Sequence, residues 1–291
     1  MPDIDALQTL VVETFPHIPI KKFTLLGEGK SATVCLANDE IVFKIPLPDH
    51  VENAEWQRNE PTVLQFLEGK LDIQVPKILC AGTSPCGLYI FGMTLLHGTP
   101  FSYELCDTYD KETSLDIQRQ LGKIVRNIHT AGGHDPSWLT TNTQETAAEL
   151  LADFHRKFNP TTRAFFLPHE VEFVEEIAKR YEYVSTHHPV KPVLCHHDLH
   201  YYNLMFDEEN KRISGVLDFG CAGYGEPAQD WHYYFDAKYV LEGYGDTADE
   251  FFMDRQRFHA LSHMLYDFAP DVAEEQRNTT LGYIRQYIFA V

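Results

Sequence analysis

The stretch HHDLHYYNLMFD, His196 to Asp207, sets three histidines around one aspartate, and an asparagine follows five positions after that aspartate. Written as a pattern it is His196-x-Asp198-x-x-x-x-Asn203, and fifteen residues beyond Asn203 comes Asp218-Phe219-Gly220. Phosphoryl transfer needs such a set. One carboxylate stands beside the attacking hydroxyl to orient it and take its proton, while separate oxygen ligands hold the metal ions that neutralise a triphosphate. Asp198 fits the role of catalytic base, and Asn203 and Asp218 fit those of metal ligands. A zinc site on His196, His197 and His200 is the competing chemistry, as would be a metal phosphohydrolase working without nucleotide. Tight zinc sites draw ligands from separated segments, and the chain has no Cys-x-x-Cys or His-Glu-x-x-His partner. The spacing of Asn203 and Asp218 therefore decides for phosphoryl transfer, with His196 as a structural prop of the loop and no role assigned to His197 or His200.

The first hundred residues test this independently. Gly27-Glu28-Gly29-Lys30-Ser31-Ala32-Thr33-Val34 has the form of a glycine-rich phosphate loop with Ala32 in the third glycine's place. There the backbone at Gly27 and Gly29 and the Ser31 hydroxyl can approach phosphates. Lys44, in Val-Phe-Lys-Ile, sits among apolar strand residues, where an ammonium needs an anionic partner. Glu60 is the expected partner and Glu52 and Glu55 compete. Pro61 disfavours helical dihedrals at Glu60 unless a helix starts only about there.

These residues must be positioned by a sheet and a set of helices. Residues 22–27, 33–37 and 41–45 read as strands, 54–67 as a helix with Leu64 and Leu67 on its apolar side, and 78–82 and 88–95 as two further strands. His97 to Pro100 punctuates their end. From Asp110 the period becomes helical, with Ile117, Leu121, Ile124 and Ile128 on one stripe and Gly132-Gly133 stopping it. Residues 146–158 and 170–186 read as helices, 192–219 as a β patch with a hairpin turning at EENK, and the rest after Pro227 as mostly helical. The expectation is an α+β, bilobal protein-kinase-like fold. A small five-stranded antiparallel β lobe with one main helix (1–94) binds nucleotide, and a larger, mostly helical lobe (95–291) carries catalysis and the acceptor.

The chain has 291 residues, 44 % of them hydrophobic, enough for a sizeable core, and a net charge of -19. That charge argues against nucleic acid, whose phosphates need clustered Lys and Arg. Residues 98–291 hold 17 basic and 31 acidic side chains, a balance of -14 that suits a solvated face or a cleft for a polycation. Six cysteines without a Cys-x-x-Cys pair read as reduced thiols in a cytoplasmic protein. No targeting or membrane segment is read, and a monomer is expected.

The segments GEGKSA, FKIP, RNEPTVLQFL, GMTLLHGTPF, LCHHDLHYYNLMFD, GVLDFG and EPAQD, spread over nearly the full chain, resemble the aminoglycoside phosphotransferase family, and within it most closely the 2''-O-phosphotransferases. The resemblance implies that Lys44 holds the nucleotide phosphates, that Glu60 pairs with it, and that Met93, Thr94 and Leu96 belong to a hinge meeting the purine through backbone atoms. It makes Asp198 the catalytic base, Asn203 and Asp218 the magnesium ligands, and Asp230 an anchor of the catalytic loop. Asn203 stands where the 2''-type enzymes often carry histidine, and Pro61 is unusual at its place.

The implied reaction moves the γ-phosphate of ATP or GTP to a hydroxyl of a cationic small molecule, an aminoglycoside, in a resistance-type activity. Asp236, Glu242 and Asp267 are the expected amine contacts beside Asp198. Choline, homoserine or a macrolide are alternative acceptors, since fold does not fix acceptor. A nucleotide-binding pseudokinase predicts the loss of a lysine, base or metal ligand, and none is lost here.

Overall fold

The computed structural model describes residues 3–29, 31–47, 54–139, 145–231, 237–246 and 248–288. Five strands, β1 (Phe23–Glu28), β2 (Ala32–Ala37), β3 (Ile41–Pro46), β4 (Ile78–Thr83) and β5 (Tyr89–Thr94), form one antiparallel sheet in the order β1-β2-β3-β5-β4. Side chains alternate across the sheet. Cys35, Phe43, Ile45 and Ile90 face a helix absent from the sequence reading, α1 (Ile4–Thr14), which buries Val11 against them. Lys44 falls on the opposite face. The signal for α1 was present: Asp3 caps it by accepting from the amides of Asp5 and Ala6, and Leu7, Leu10 and Val11 follow at helical spacing.

The helix after β3, α2 (Ala54–Leu67), runs through both Glu60 and Pro61. The helix read over 54–67 is present with those bounds, and Pro61, which disfavours helical dihedrals at Glu60, does not interrupt it. Position 61 cannot donate to the Gln57 carbonyl, a local loss that the helix tolerates. Two residues, β6 (Thr99–Pro100), join the expected hairpin of β8 (Leu204–Asp207) and β9 (Arg212–Val216) in a second sheet ordered β6-β8-β9. Asp207 closes the hairpin turn by accepting from the Asn210 amide, the Asn210 side chain and Arg212.

The remaining elements are α3 (Tyr103–Asp107), α4 (Lys111–Gly132), α5 (Ala147–Lys157), α6 (Pro160–Arg163), α7 (Pro168–His187), β7 (Val193–Cys195), β10 (Gly223–Gly225), α8 (Ala237–Tyr244), α9 (Phe252–Met264) and α10 (Glu274–Tyr283). β10, also unread in the sequence, pairs with β7 and fixes the strand that leads into His196. By their contacts the described elements divide into two compact units. One holds residues 1–110, 135–142 and 200–222, and the other 111–134, 143–199 and 223–291. This partition differs from the linear one drawn at 94/95, because the β8–β9 hairpin bonds to β6 and to the Gln74 carbonyl.

In the second unit α4 and α8 meet backbone to backbone. A Cβ on Gly122 would lie 1.9 Å from the Val240 carbonyl oxygen, and one on Gly243 would lie 1.9 Å from that of Arg119. Tyr181 of α7 stacks on Phe258 of α9, and Phe154, Phe158, Val174 and Leu261 fill the core around them. None of the six cysteines is in a disulfide, and no helix among the described residues is long and apolar enough to cross a membrane.

Candidate active site

The strand alternation that packs Phe43 and Ile45 under α1 sends Lys44 to the other side, where two carboxylates meet it. Lys44 Nζ lies 2.7 Å from Glu60 Oε2 and 2.7 Å from Asp218 Oδ1. The Glu60 side chain is 1 % exposed, that of Lys44 12 % and that of Asp218 43 %. Burial by itself favours neutral forms of both partners. The two anions outweigh it at Lys44, whose ammonium is held well above the usual lysine range. The competing Glu52 and the side chain of Glu55 lie outside the described residues.

The next residue back in α2 does a job the sequence did not disclose. Asn59 is buried and its Nδ2 donates to the carbonyls of Gly220 (2.9 Å) and Ala222 (2.7 Å), tying α2 to the turn that carries Asp218. Asp218 itself has φ +60°, a left-handed conformation rare outside glycine and common at functional turns.

The hairpin register brings Asn203 beside Asp218. Leu204 pairs with Val216, and the Leu217 amide donates to the Asn203 carbonyl at 2.8 Å. Asn203 Nδ2 lies 3.4 Å from His200 Nε2. His200, without a role in the sequence reading, thus sits against the Asn203 side chain. Amide and carboxylate oxygens are hard donors that fit magnesium, an ion bound by few protein groups and several waters.

A pocket of about 520 Å³ opens at this point, walled by Val34, Val42, Lys44, Met93, Met205 and Asp218 among others. Thr94, Leu96 and Asn203 also line it. The amides of Thr94 and Leu95 are already given to the carbonyls of Lys77 and Glu40. Neither Gly27 nor Gly29 has a positive φ. A Cβ on Gly27 would meet nothing within 4 Å and one on Gly29 would meet the Ala32 carbonyl oxygen at 3.5 Å, so packing demands glycine at neither position. Ser31 accepts from the Leu47 amide through its carbonyl, and Lys30 lies outside the described residues.

Asp198 follows β7 in the other unit. Its amide lies 3.3 Å from Nδ1 of the fully buried His196, which makes that nitrogen the acceptor. The loop is held by Asp230, fully buried in the one-turn helix Pro227–Trp231. Asp230 Oδ2 accepts from the His196 amide at 2.9 Å and Oδ1 from the His197 amide at 2.7 Å. His129 of α4 adds a contact from Nε2 to Asp230 Oδ2 at 3.0 Å, and its Nδ1 meets the Tyr244 hydroxyl at 2.9 Å. Burial raises the Asp230 carboxyl, but His129 and the neighbouring histidines hold it well below the usual carboxylate range. His129, Cys195 and Asp230 bring ligand-type atoms within 4.8 Å of one another. They are spoken for: Asp230 by the loop amides and His129, and the Cys195 thiol by the carbonyls of Val193 and Glu226.

Known proteins resemble this chain over most of its length. The profile of a phosphotransferase enzyme family (APH) matches residues 22–260. The chain belongs to that family and is a phosphotransferase. Among solved structures, the GDP complex of wild-type aminoglycoside 2'-phosphotransferase-IIIa superposes with TM-score 0.76 at 16 % identity, covering 99 % of each chain. The streptomycin–ATP ternary complex of APH(2")-IIa gives 0.69 at 20 %, covering 98 % of this chain and 97 % of that one. Macrolide 2'-phosphotransferase MphH from Brachybacterium faecium, as apoenzyme, gives 0.63 at 21 %, covering 97 % of each. These similarities establish a kinase-like α+β fold.

Of the three carboxylates expected to meet an acceptor, two belong to the described residues of this phosphotransferase. Asp236, with Tyr233 and Tyr234, lies outside the described residues. Glu242 is engaged by Arg119 at 2.9 Å, and Asp267 accepts from Gln276 (2.8 Å) and the Thr280 hydroxyl (2.6 Å). Amine contacts at these two would compete with bonds already made inside the protein.

Proposed function

We propose that this phosphotransferase moves the γ-phosphoryl group of ATP or GTP to a hydroxyl of an aminoglycoside. The observation that carries the nucleotide part is Lys44 Nζ, 2.7 Å from both Glu60 and Asp218 on the wall of a 520 Å³ pocket. In this reading the purine lies between Val34 and Val42 on one side and Met205 and Leu217 on the other, and meets the backbone of Met93, Thr94 and Leu96. With the Thr94 and Leu95 amides engaged, the Leu96 amide is the hinge donor. Lys44, steadied by Glu60, holds the phosphates, with the Gly27 to Ser31 backbone over them. Asn203 and Asp218 hold magnesium, which when bound neutralises the triphosphate charge. Asp198 orients the acceptor hydroxyl and takes its proton, on a loop kept in shape by His196 and Asp230. Residues 1–94 then form the nucleotide lobe and 95–291 the catalytic and acceptor lobe of a cytoplasmic monomer.

For the acceptor, support comes from the -14 balance of residues 98–291, which attracts a polyamine, and from similar structures whose ligands are kanamycin, streptomycin and gentamicin. Asp236 is the acceptor contact to test first. The experiment is a coupled assay of nucleoside diphosphate release with magnesium and ATP or GTP over aminoglycosides, choline, homoserine and a macrolide. Turnover with an aminoglycoside, reduced at least a hundredfold in Asp198→Ala with nucleotide affinity kept, is expected. Turnover only with another acceptor would withdraw the aminoglycoside, and undiminished turnover in Asp198→Ala would withdraw the base.

A further inference from the structure

The second unit holds a cavity of about 400 Å³ that shares no lining residue with the nucleotide pocket. Two cations line it, Arg126 from α4 and Lys191 from the segment before β7, with His134 and Thr130 beside them. The carboxylate among its described lining residues, Asp249, is paired with Arg255. Its Oδ1 accepts from Arg255 at 2.7 Å and from the Phe251 amide at 2.8 Å. Arg126 gives one long bond, 3.4 Å, to the Tyr244 carbonyl. In a chain of net charge -19, this wall gathers positive charge that no described carboxylate on it neutralises. Opposite in character, Val190, Val193 and Phe252 supply apolar surface.

We propose that this cavity binds a small organic anion. Its phosphate or carboxylate head would lie at Arg126 and Lys191, where charge-assisted hydrogen bonds are strong and a guanidinium can grip two oxygens, and its apolar body on Val190, Val193 and Phe252. The site abuts the polar relay that carries the catalytic loop. Tyr244 and His129 both line it, and through them the contacts run to Asp230 and the amides of His196 and His197. Trp231 packs 4.8 Å from the Tyr244 ring, edge to face, which makes it a built-in reporter. Nothing in this inference depends on which acceptor the enzyme uses.

The test labels the full chain with 5-fluorotryptophan, so that Trp56, Trp138 and Trp231 give three fluorine resonances, assigned with Trp56→Phe and Trp138→Phe. Phenyl phosphate and benzoate are titrated separately without nucleotide or metal. The expected result is a saturable shift of the Trp231 resonance alone. The Arg126→Ala/Lys191→Ala variant, changed at two exposed positions, should bind at least about tenfold more weakly. Saturation by either probe supports the site, and the tighter one names the head group. A Trp231 line unmoved up to roughly 10 mM of both, or one that moves with the same midpoint in the double variant, overturns it.

Discussion

Replacing Lys44 by Met keeps the aliphatic stem and removes the charge, leaving Glu60 1 % exposed with no counter-ion. Loss of one partner of a buried pair costs about 3–5 kcal/mol. The contact to Asp218 adds under about 1 kcal/mol, because that carboxylate is 43 % exposed and screened by water. Glu60 has an escape, since it can take up a proton. From an ordinary carboxyl value near 4.3, protonation costs about 5 kcal/mol at pH 8 and about 1.6 kcal/mol at pH 5.5, which caps the deficit at each pH. The sign follows from linkage. Without Lys44, burial is the dominant influence on Glu60 and raises its folded-state pKa above the unfolded value. Its contribution is then most favourable below the unfolded value and is lost as pH rises through the folded one. Thermal unfolding followed by circular dichroism should therefore show Lys44→Met melting about 10 °C below the parent at pH 8 and only a few degrees below it at pH 5.5. Lys44→Met/Glu60→Gln, with no charge left to bury, should lose most of this pH dependence. A Lys44→Met deficit that is absent at pH 8, or equal at both pH values, or unchanged by Glu60→Gln, would refute the buried-pair reasoning.

Asp230→Asn turns one acceptor oxygen into a donor facing loop amides. It should cost about 2–3 kcal/mol of stability by chemical denaturation and lower turnover while nucleotide binding persists. Gly122→Ala would place a methyl 1.9 Å from the Val240 carbonyl and should cost at least about 1–3 kcal/mol. Gly282→Ala, in α10 with nothing within 4 Å, should be neutral or stabilising by up to about 1 kcal/mol in the same melt.

Much of this molecule was legible in one dimension because its signals are local. Period-two alternation around Lys44, the helical stripe of Ile117, Leu121, Ile124 and Ile128, the stop at Gly132-Gly133 and the Asp207 turn each depend on residues a few positions apart. The nearness of Asn203 to Asp218 was readable for the same reason, since a hairpin can bring two such residues together in few ways. Helix α1 was missed although its signal is local, whereas two of the strands missed have no local signal to read. Two-residue β6 exists because β8 is there to pair with it, and β10 because of β7.

Tertiary structure alone decided four further points. It set Glu60, next to Pro61 in α2, 2.7 Å from the Lys44 ammonium. It placed His200 against Asn203 and tied Asn59 to the carbonyls after Asp218. It committed Glu242 and Asp267 to partners inside the fold. It also joined His129 to Asp230 across 101 residues of sequence. A polar side chain finds its partner by position in space, and composition carries no record of which donor will face it once the core has closed.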